Sequence, residues 1–188
     1  GATNLDGDAQ ADLEFHGGPD KAVCCYSAGH YPAWRAELGL DELAWGGFGE
    51  NFTIDGLVEE GLCIGDVWRV GEALVQVSQP RQPCWKLARR WKVKDLAPRV
   101  QQNGRTGWYF RVLTEGMVAP GQTLTLLERP CSDWTIARAN HVMHVDKKTA
   151  KAAAVLAALP PLSASWKLTL GNRAEKAIEP DVSRRLNG

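Results

Sequence analysis

The chain has 188 residues, 44% hydrophobic and 23% charged, with 22 basic and 22 acidic side chains and no net charge. Such a chain can bury one sizeable core with a small appendage, and its charge balance does not suit a nucleic-acid-binding stripe. No apolar run approaches the ~20 residues that a membrane helix needs, and no signal peptide is visible.

Residues 1–20 are rich in glycine and aspartate and read as loop. The chain begins at Gly1 within turn-rich sequence, from which the expectation is an upstream segment that is missing here. Ala22 to Tyr26 is a short apolar run that reads as a strand. A short helix follows, with Pro32 near its start, Ala33 to Leu38 as its body and Gly39 at the position after its end. Trp45 to Asn51 is a glycine-rich loop. Phe52 to Ile54, Cys63 to Val70 and Ala73 to Val77 read as strands, separated by the turn pairs Asp55-Gly56 and Gly71-Glu72. Leu87 to Trp91 forms one or two helical turns. Gly107 to Leu113 and Thr123 to Leu127 are again strand-like, joined through Pro120-Gly121. Many short strands at this spacing predict a mixed, mainly β fold of barrel or sandwich type over residues 1–130.

The character changes after Arg129-Pro130. Ser132 or Asp133 is placed to cap a helix running through Ile136 toward His141. Asp146 is placed to cap an alanine-rich helix from Lys147 to Leu159, which Pro160-Pro161 ends. Ser163 is placed to cap a third helix that stops before Gly171. Residues 131–188 therefore read as a small three-helix domain with a frayed tail from Asp181.

Charge is unevenly distributed. From Glu37 to Glu72 nine acids face Arg69 alone, and from Arg81 to Arg111 nine bases face Asp95 alone. A solvated face is the simple account; collection of an anionic ligand by the basic segment is the other. The five cysteines Cys24, Cys25, Cys63, Cys84 and Cys131 form no CxxC pair, which argues against a disulfide framework or a zinc ribbon and fits a reducing, cytoplasmic setting.

Cys84 is the most informative residue. It lies in Gln79-Pro80-Arg81-Gln82-Pro83-Cys84-Trp85-Lys86, directly after a strand. Pro80 and Pro83 fix φ and cannot donate to a ladder, so the strand is expected to end there and to present Cys84 on a stiff turn. Arg81 and Lys86 favour thiolate, the form required of a nucleophile and of a soft metal ligand. A buried cysteine acting as a small hydrophobe is the alternative. His16-Gly17-Gly18-Pro19-Asp20-Lys21 offers two permissive glycines whose amides suit an anion nest, flanked by His16 and Lys21, or else a plain turn. Phe48-Gly49-Glu50-Asn51 offers acceptors and amide donors for a heterocycle edge, or else only a loop. Asp6-Gly7-Asp8-Ala9-Gln10-Ala11-Asp12 fails the calcium-loop pattern at Gln10 and Ala11. No G-x-S-x-G element occurs. His141 and His144 are too few for a metal site.

Together these motifs resemble the MOSC domain. Gly7-Asp8-x-Gln10-x-Asp12, His16 to Val23, Gly49-Glu50-Asn51, Gly65-Asp66 and Pro80-Arg81-Gln82-Pro83-Cys84 occur in that family's order, over residues 5 to about 129. The three C-terminal helices resemble the domain appended in its bacterial YiiM-type subgroup. The resemblance implies a MOSC β-barrel that binds the molybdenum cofactor (molybdopterin), with Cys84 as the molybdenum ligand. It implies reduction of N-hydroxylated compounds such as hydroxylaminopurines, which detoxifies base analogues, with electrons from a flavoprotein. Cys84 and His16 would be catalytic, His16 as the acid; Gly17, Gly18, Lys21, Glu50, Asn51 and Arg81 would bind cofactor. In the family an upstream segment adds strands and cofactor contacts, so a preparation without it would lack cofactor. A carrier of cofactor or sulfur on Cys84, without turnover, is the alternative. Expected partners are a small N-hydroxylated substrate, the electron donor and a second copy in a homodimer, with neither nucleic acid nor membrane.

Overall fold

The computed structural model describes residues 1–8 and 17–188. Its frame is a six-stranded curled sheet: β1 (Val23–Ser27), β2 (Phe52–Ile54), β3 (Val67–Val70), β4 (Ala73–Pro80), β5 (Trp108–Thr114) and β6 (Leu124–Glu128), in the order β2-β1-β5-β4-β3-β6. β1 and β2 run parallel and the other neighbours antiparallel. The β4/β5 register shifts between Leu74 and Val75 and again between Val77 and Gln79. Such irregularities bend a strand and increase its twist, which curls the sheet. The fold class expected from the sequence, mainly β with short helices and a helical C-terminal part, is the one observed.

Side-chain alternation along β1 separates two cores. Val23 and Cys25 join one cluster with Val75, Val77, Trp108 and Phe110. Tyr26 faces the other way, into a cluster with Tyr31, Trp34, Leu43, Phe48, Leu87, Leu96 and Val100. That second cluster is roofed by α1 (Tyr31–Leu38), α2 (Lys86–Trp91) and α3 (Leu96–Asn103). Each fully buried aliphatic or aromatic side chain contributes roughly 1.5–3 kcal/mol. Gly39 closes α1 in the left-handed region, as expected, with its N–H on the Arg35 carbonyl.

The remaining helices are α4 (Ile136–His144), α5 (Ala150–Ala157), α6 (Ala164–Lys176) and α7 (Ser183–Asn187). Trp134, Ile136, Met143, Leu156, Trp166 and Leu170 from this part belong to the same apolar cluster as the sheet. Arg173 is 4% exposed and donates to the carbonyls of Val142 and Met143 at 2.7 and 2.8 Å, covering the C-terminal end of α4. Gly65 has φ +85, and a Cβ there would lie 2.6 Å from Pro161 Cγ, so only glycine lets the helical part approach β3 this closely.

Several local expectations are corrected. β4 ends at Pro80, as the prolines imply, but it runs past Val77, the end of the expected run, to a last pair of Pro80 with Trp108. Cys63 to Asp66 is a turn rather than strand, because Asp66 is fully buried and its carboxylate accepts from Cys63 N at 2.9 Å. Thr135, not Ser132 or Asp133, caps α4, accepting from Arg138 N at 3.1 Å. The second helix begins at Ala150, and Asp146 instead accepts from the Thr149 hydroxyl at 2.8 Å. Ser163 caps the third helix as expected, but that helix runs through Gly171 to Lys176, since a buried Arg173 outweighs the small propensity cost of one glycine. The tail is not frayed: it forms α7. Helix α3 had no counterpart among the sequence expectations.

Candidate cofactor site

Cys84 follows β4 in an irregular segment that opens into α2. It is 9% exposed, and its carbonyl accepts from Leu87 N at 3.1 Å. Arg81, three residues earlier, is 7% exposed. Its backbone N–H donates to Gly107 O at 3.0 Å and its Nη2 to Phe48 O at 2.6 Å. Its Nη1 is buried and finds no acceptor among the described residues. A buried guanidinium nitrogen without an acceptor is costly, so this position could take an acceptor beyond those the described residues supply.

Gly107 makes this junction possible. At φ +73, a Cβ would sit 2.2 Å from Cys25 O. Glu59, 2% exposed, accepts from Gly107 N at 2.7 Å and pairs with His30 at 2.7 Å.

Cys24 and Tyr109, directly paired across β1 and β5, complete the surroundings. Both lie within electrostatic reach of Cys84 and Arg81, and they hydrogen-bond one another through their side chains. Burial pushes the Cys24 thiol up, with the Arg81 charge opposing it and Glu50 adding to it. Burial likewise pushes the Tyr109 phenol well above its ordinary range, so the phenol stays protonated and remains a donor. For Arg81, burial opposes the charged form, but the thiols Cys24 and Cys84 and the phenol Tyr109 more than reverse this.

The loop bearing Glu50 and Asn51 lies against this group. The Glu50 carboxylate accepts from the Tyr31 hydroxyl, from Gly46 N at 3.0 Å, from Phe48 N at 3.1 Å and from Thr53 Oγ1 at 2.8 Å. It shapes the loop whose Phe48 carbonyl holds Arg81. Asn51 Oδ1 accepts from Cys24 N at 2.7 Å, and its Nδ2 donates to Asp8 at 2.6 Å.

His16 lies outside the described residues. Gly18 has φ 93 and its carbonyl accepts from Lys21 N at 3.0 Å, in a 3-10 turn whose Asp20 binds Arg111 at 2.6 Å. Asp20 also takes the Ser78 hydroxyl on its carbonyl at 2.6 Å and Ala164 N on its carboxylate at 3.0 Å. The Gly17 to Lys21 turn is thus fixed beside the middle of β4, and Lys21 is half-buried there. Asp66 of the Gly65-Asp66 motif is bound to Arg129 at 2.7 Å and serves its turn. A cavity of about 220 Å³ elsewhere, walled by His30, Glu59, Gln101, Asn140 and His141, is lined by neither Cys84 nor Arg81.

The structure therefore gathers Cys84, Arg81 and the Glu50-Asn51 loop, and adds Cys24, Tyr109 and Arg185, whose Nη1 donates to Pro83 O at 2.6 Å; sequence reading did not single these out. Cys24 could have been found from strand alternation, which sends it to the face opposite Cys25. Tyr109 and Arg185 come from distant segments and carried no local signal.

A thiol, a buried guanidinium with one nitrogen unpaired among the described residues, and permissive backbone could together hold an anionic, sulfur-compatible group. Among the described residues no three His, Cys, Asp or Glu converge as metal ligands. A metal at Cys84 would accordingly arrive with ligands of its own, as in an organic cofactor.

The chain belongs to the MOSC domain family, whose profile matches residues 12–125. It is of the YiiM type: the YiiM-like, 3-alpha helix domain matches residues 134–177. It is 49% identical over 175 residues to the uncharacterized protein YflK of Bacillus subtilis (strain 168), covering 93% of this chain and 79% of that protein. It is 39% identical over 187 residues to the protein YiiM of Escherichia coli (strain K12), covering 98% and 83%. The crystal structure of YiiM from Escherichia coli superimposes with a TM-score of 0.89 at 37% identity, over 98% of this chain and 88% of that one. A reductase of Gibberella moniliformis (strain M3125 / FGSC 7600) is 39% identical over 145 residues, 76% of this chain but 26% of that protein.

Proposed function

We propose that this protein is a molybdenum-cofactor-dependent reductase of N-hydroxylated compounds such as hydroxylaminopurines. The observation that carries the reading is Cys84 beside a buried Arg81 whose Nη1 has no acceptor among the described residues. The MOSC family and the fungal relative named a reductase support it. Cys84 would hold the metal, and Arg81 would take an anionic oxygen or a pterin carbonyl of the cofactor through Nη1. The bound group would supply two-electron redox chemistry; the protein sets orientation and electrostatics.

The balance is R–NH–OH plus two electrons and two protons to R–NH2 and water. The N–O bond breaks and the oxygen leaves as water, with electrons from a separate flavoprotein. Tyr109, held protonated by burial, keeps a neutral donor next to the thiols. Asn51 ties the loop to β1 so that the Phe48 carbonyl keeps Arg81 in place. Gly17, Gly18 and Lys21 would meet the cofactor's phosphate, and His16 would deliver a proton. Such a reductase, with all five cysteines free, fits a reducing cytoplasm.

The test is the molybdenum-to-protein ratio and N-hydroxyadenine reduction with an artificial electron donor, wild type beside Cys84→Ala. Loss of both in the variant is expected. Retention of both would overturn the reading, and a persulfide on Cys84 without reduction would assign the carrier role instead.

A further inference from the structure

The last helix, α7, reaches back to the Cys84 turn and takes hold of both its flanks. Arg185 Nη1 donates to the carbonyl of Pro83 at 2.6 Å. The Arg185 carbonyl accepts from Trp85 N at 2.8 Å. The residues immediately before and after Cys84 are thus bonded to a single residue in the last helix. Nη2 reaches the α3 side chain Gln101 Oε1 at 2.7 Å, which fixes the guanidinium plane. The Gly188 Cα position packs on the Trp85 ring, with 3.5 Å from an added Cβ to Trp85 Cγ.

Arg185 is paired with no carboxylate among the described residues. The acceptors of its guanidinium, the Pro83 carbonyl and the Gln101 side-chain amide, are both neutral. Burial disfavours its charge, and the nearby Cys84 sulfur opposes that effect. Arg81, which among the described residues bonds a backbone carbonyl and no carboxylate, lies three residues before Cys84 and within electrostatic reach of the same thiol. Glu50, the acid felt at Cys24, is already held by its own loop. Two guanidiniums near one thiol, with no carboxylate paired to either among the described residues, form a positive centre suited to a ligand anion.

We propose that α7 is a working part of the Cys84 site: Arg185 clamps both flanks of Cys84 and supplies, beside Arg81, a second cation for an anionic group held at that thiol. This rests on the reading of Cys84 as the cofactor-holding residue, but its electrostatic part does not need cofactor. Arg185 is a positioning residue, since it acts through the Cys84 turn and the local potential.

The test uses the full chain freed of metal. Cys84 is labelled with an anionic sulfonatoethyl and with a cationic trimethylammonioethyl methanethiosulfonate, and labelling of the Cys84 peptide is followed by mass spectrometry. Wild type should favour the anionic reagent, and Arg185→Gln should cut that preference at least about fivefold, the scale of one nearby partly screened charge. Arg185→Lys should keep the preference while both reagents react faster, because the bond to Pro83 is weakened. A Gln variant with the wild-type preference overturns the proposal, as does one in which both rates change equally. In a second arm, Arg185→Gln should retain several-fold less molybdenum than wild type. Should wild type hold none, the reductase reading fails while the charge preference still decides the role of Arg185. Should Cys84→Ala lose molybdenum while Arg185→Gln keeps wild-type metal and charge preference, the reductase reading stands and this inference falls.

Discussion

Glu50 distinguishes two uses of a carboxylate. Were it a ligand contact, its removal would weaken cofactor binding and leave folding untouched. The structure engages it otherwise, with the Tyr31 hydroxyl, two backbone amides and the Thr53 hydroxyl all donating to it. A hydrogen bond to a charged acceptor contributes roughly 1.5–3 kcal/mol, and a neutral one about 1 kcal/mol. Because Glu50 is half-buried, the lower figure applies, which gives about 3–4 kcal/mol for Glu50→Ala. That is a large part of the ~5–15 kcal/mol total for a folded domain. The assay is urea unfolding at pH 7.5, with midpoint and slope compared between wild type, Glu50→Ala and Glu50→Gln. Ala should lower the midpoint by ~1–4 M at an m-value near ~1–3 kcal/mol/M. Gln keeps the shape and one carbonyl acceptor, and should lose about half as much. The loop shift should also free Arg81 from Phe48, visible as faster amide exchange from Gly46 to Asn51. An Ala variant within about 0.5 kcal/mol of wild type would refute the structural role and return Glu50 to the ligand.

Three further outcomes follow from single positions. Burial, with the cations Arg185, Lys147 and Arg173 adding to it, pushes His144 down to about 3. The unfolded chain therefore binds this proton more tightly, and stability present above pH 6.5 is lost as pH falls toward 3, by no more than about 5 kcal/mol. His144→Asn should flatten that acid limb in pH-dependent urea melts, and an unchanged limb would clear His144 of the effect. Gly107→Ala places a Cβ 2.2 Å from Cys25 O at φ +73, so soluble yield and Tm should collapse, whereas a near-wild-type melt would contradict the close approach. Asp20→Asn weakens the pairing to Arg111 and the bond from Ala164 N, and should cost about 1–3 kcal/mol with faster exchange at the start of α6. Equal exchange there would dissolve the tether.

Local patterns carried much of the sequence reading. Alternation and turn pairs placed β1, β2, β4, β5 and β6, because each strand's signal lies within a few neighbours. Gly39 and Ser163 announced their helix ends for the same reason, as cap chemistry is local. The fold class was legible from motif order. Tertiary packing decided the rest. Cys63 to Val70 read as one apolar strand, yet a buried Asp66 paired to Arg129 turns its first half. Gly171 read as a stop, yet Arg173 bonded to the end of α4 carries that helix past it.

The composition of the site divides along the same line. The sequence by itself determined a rigid proline-flanked thiol with Arg81 beside it, since φ restriction and charge order along the chain are covalent facts. Only the tertiary structure decided which groups surround that turn: Cys24 and Tyr109 paired across two strands, a Phe48 carbonyl on Arg81, and Arg185 returning from the last helix to the Pro83 carbonyl. Their convergence depends on register, curl and burial, which are properties of contacts between distant segments and leave no mark in any short stretch of residues.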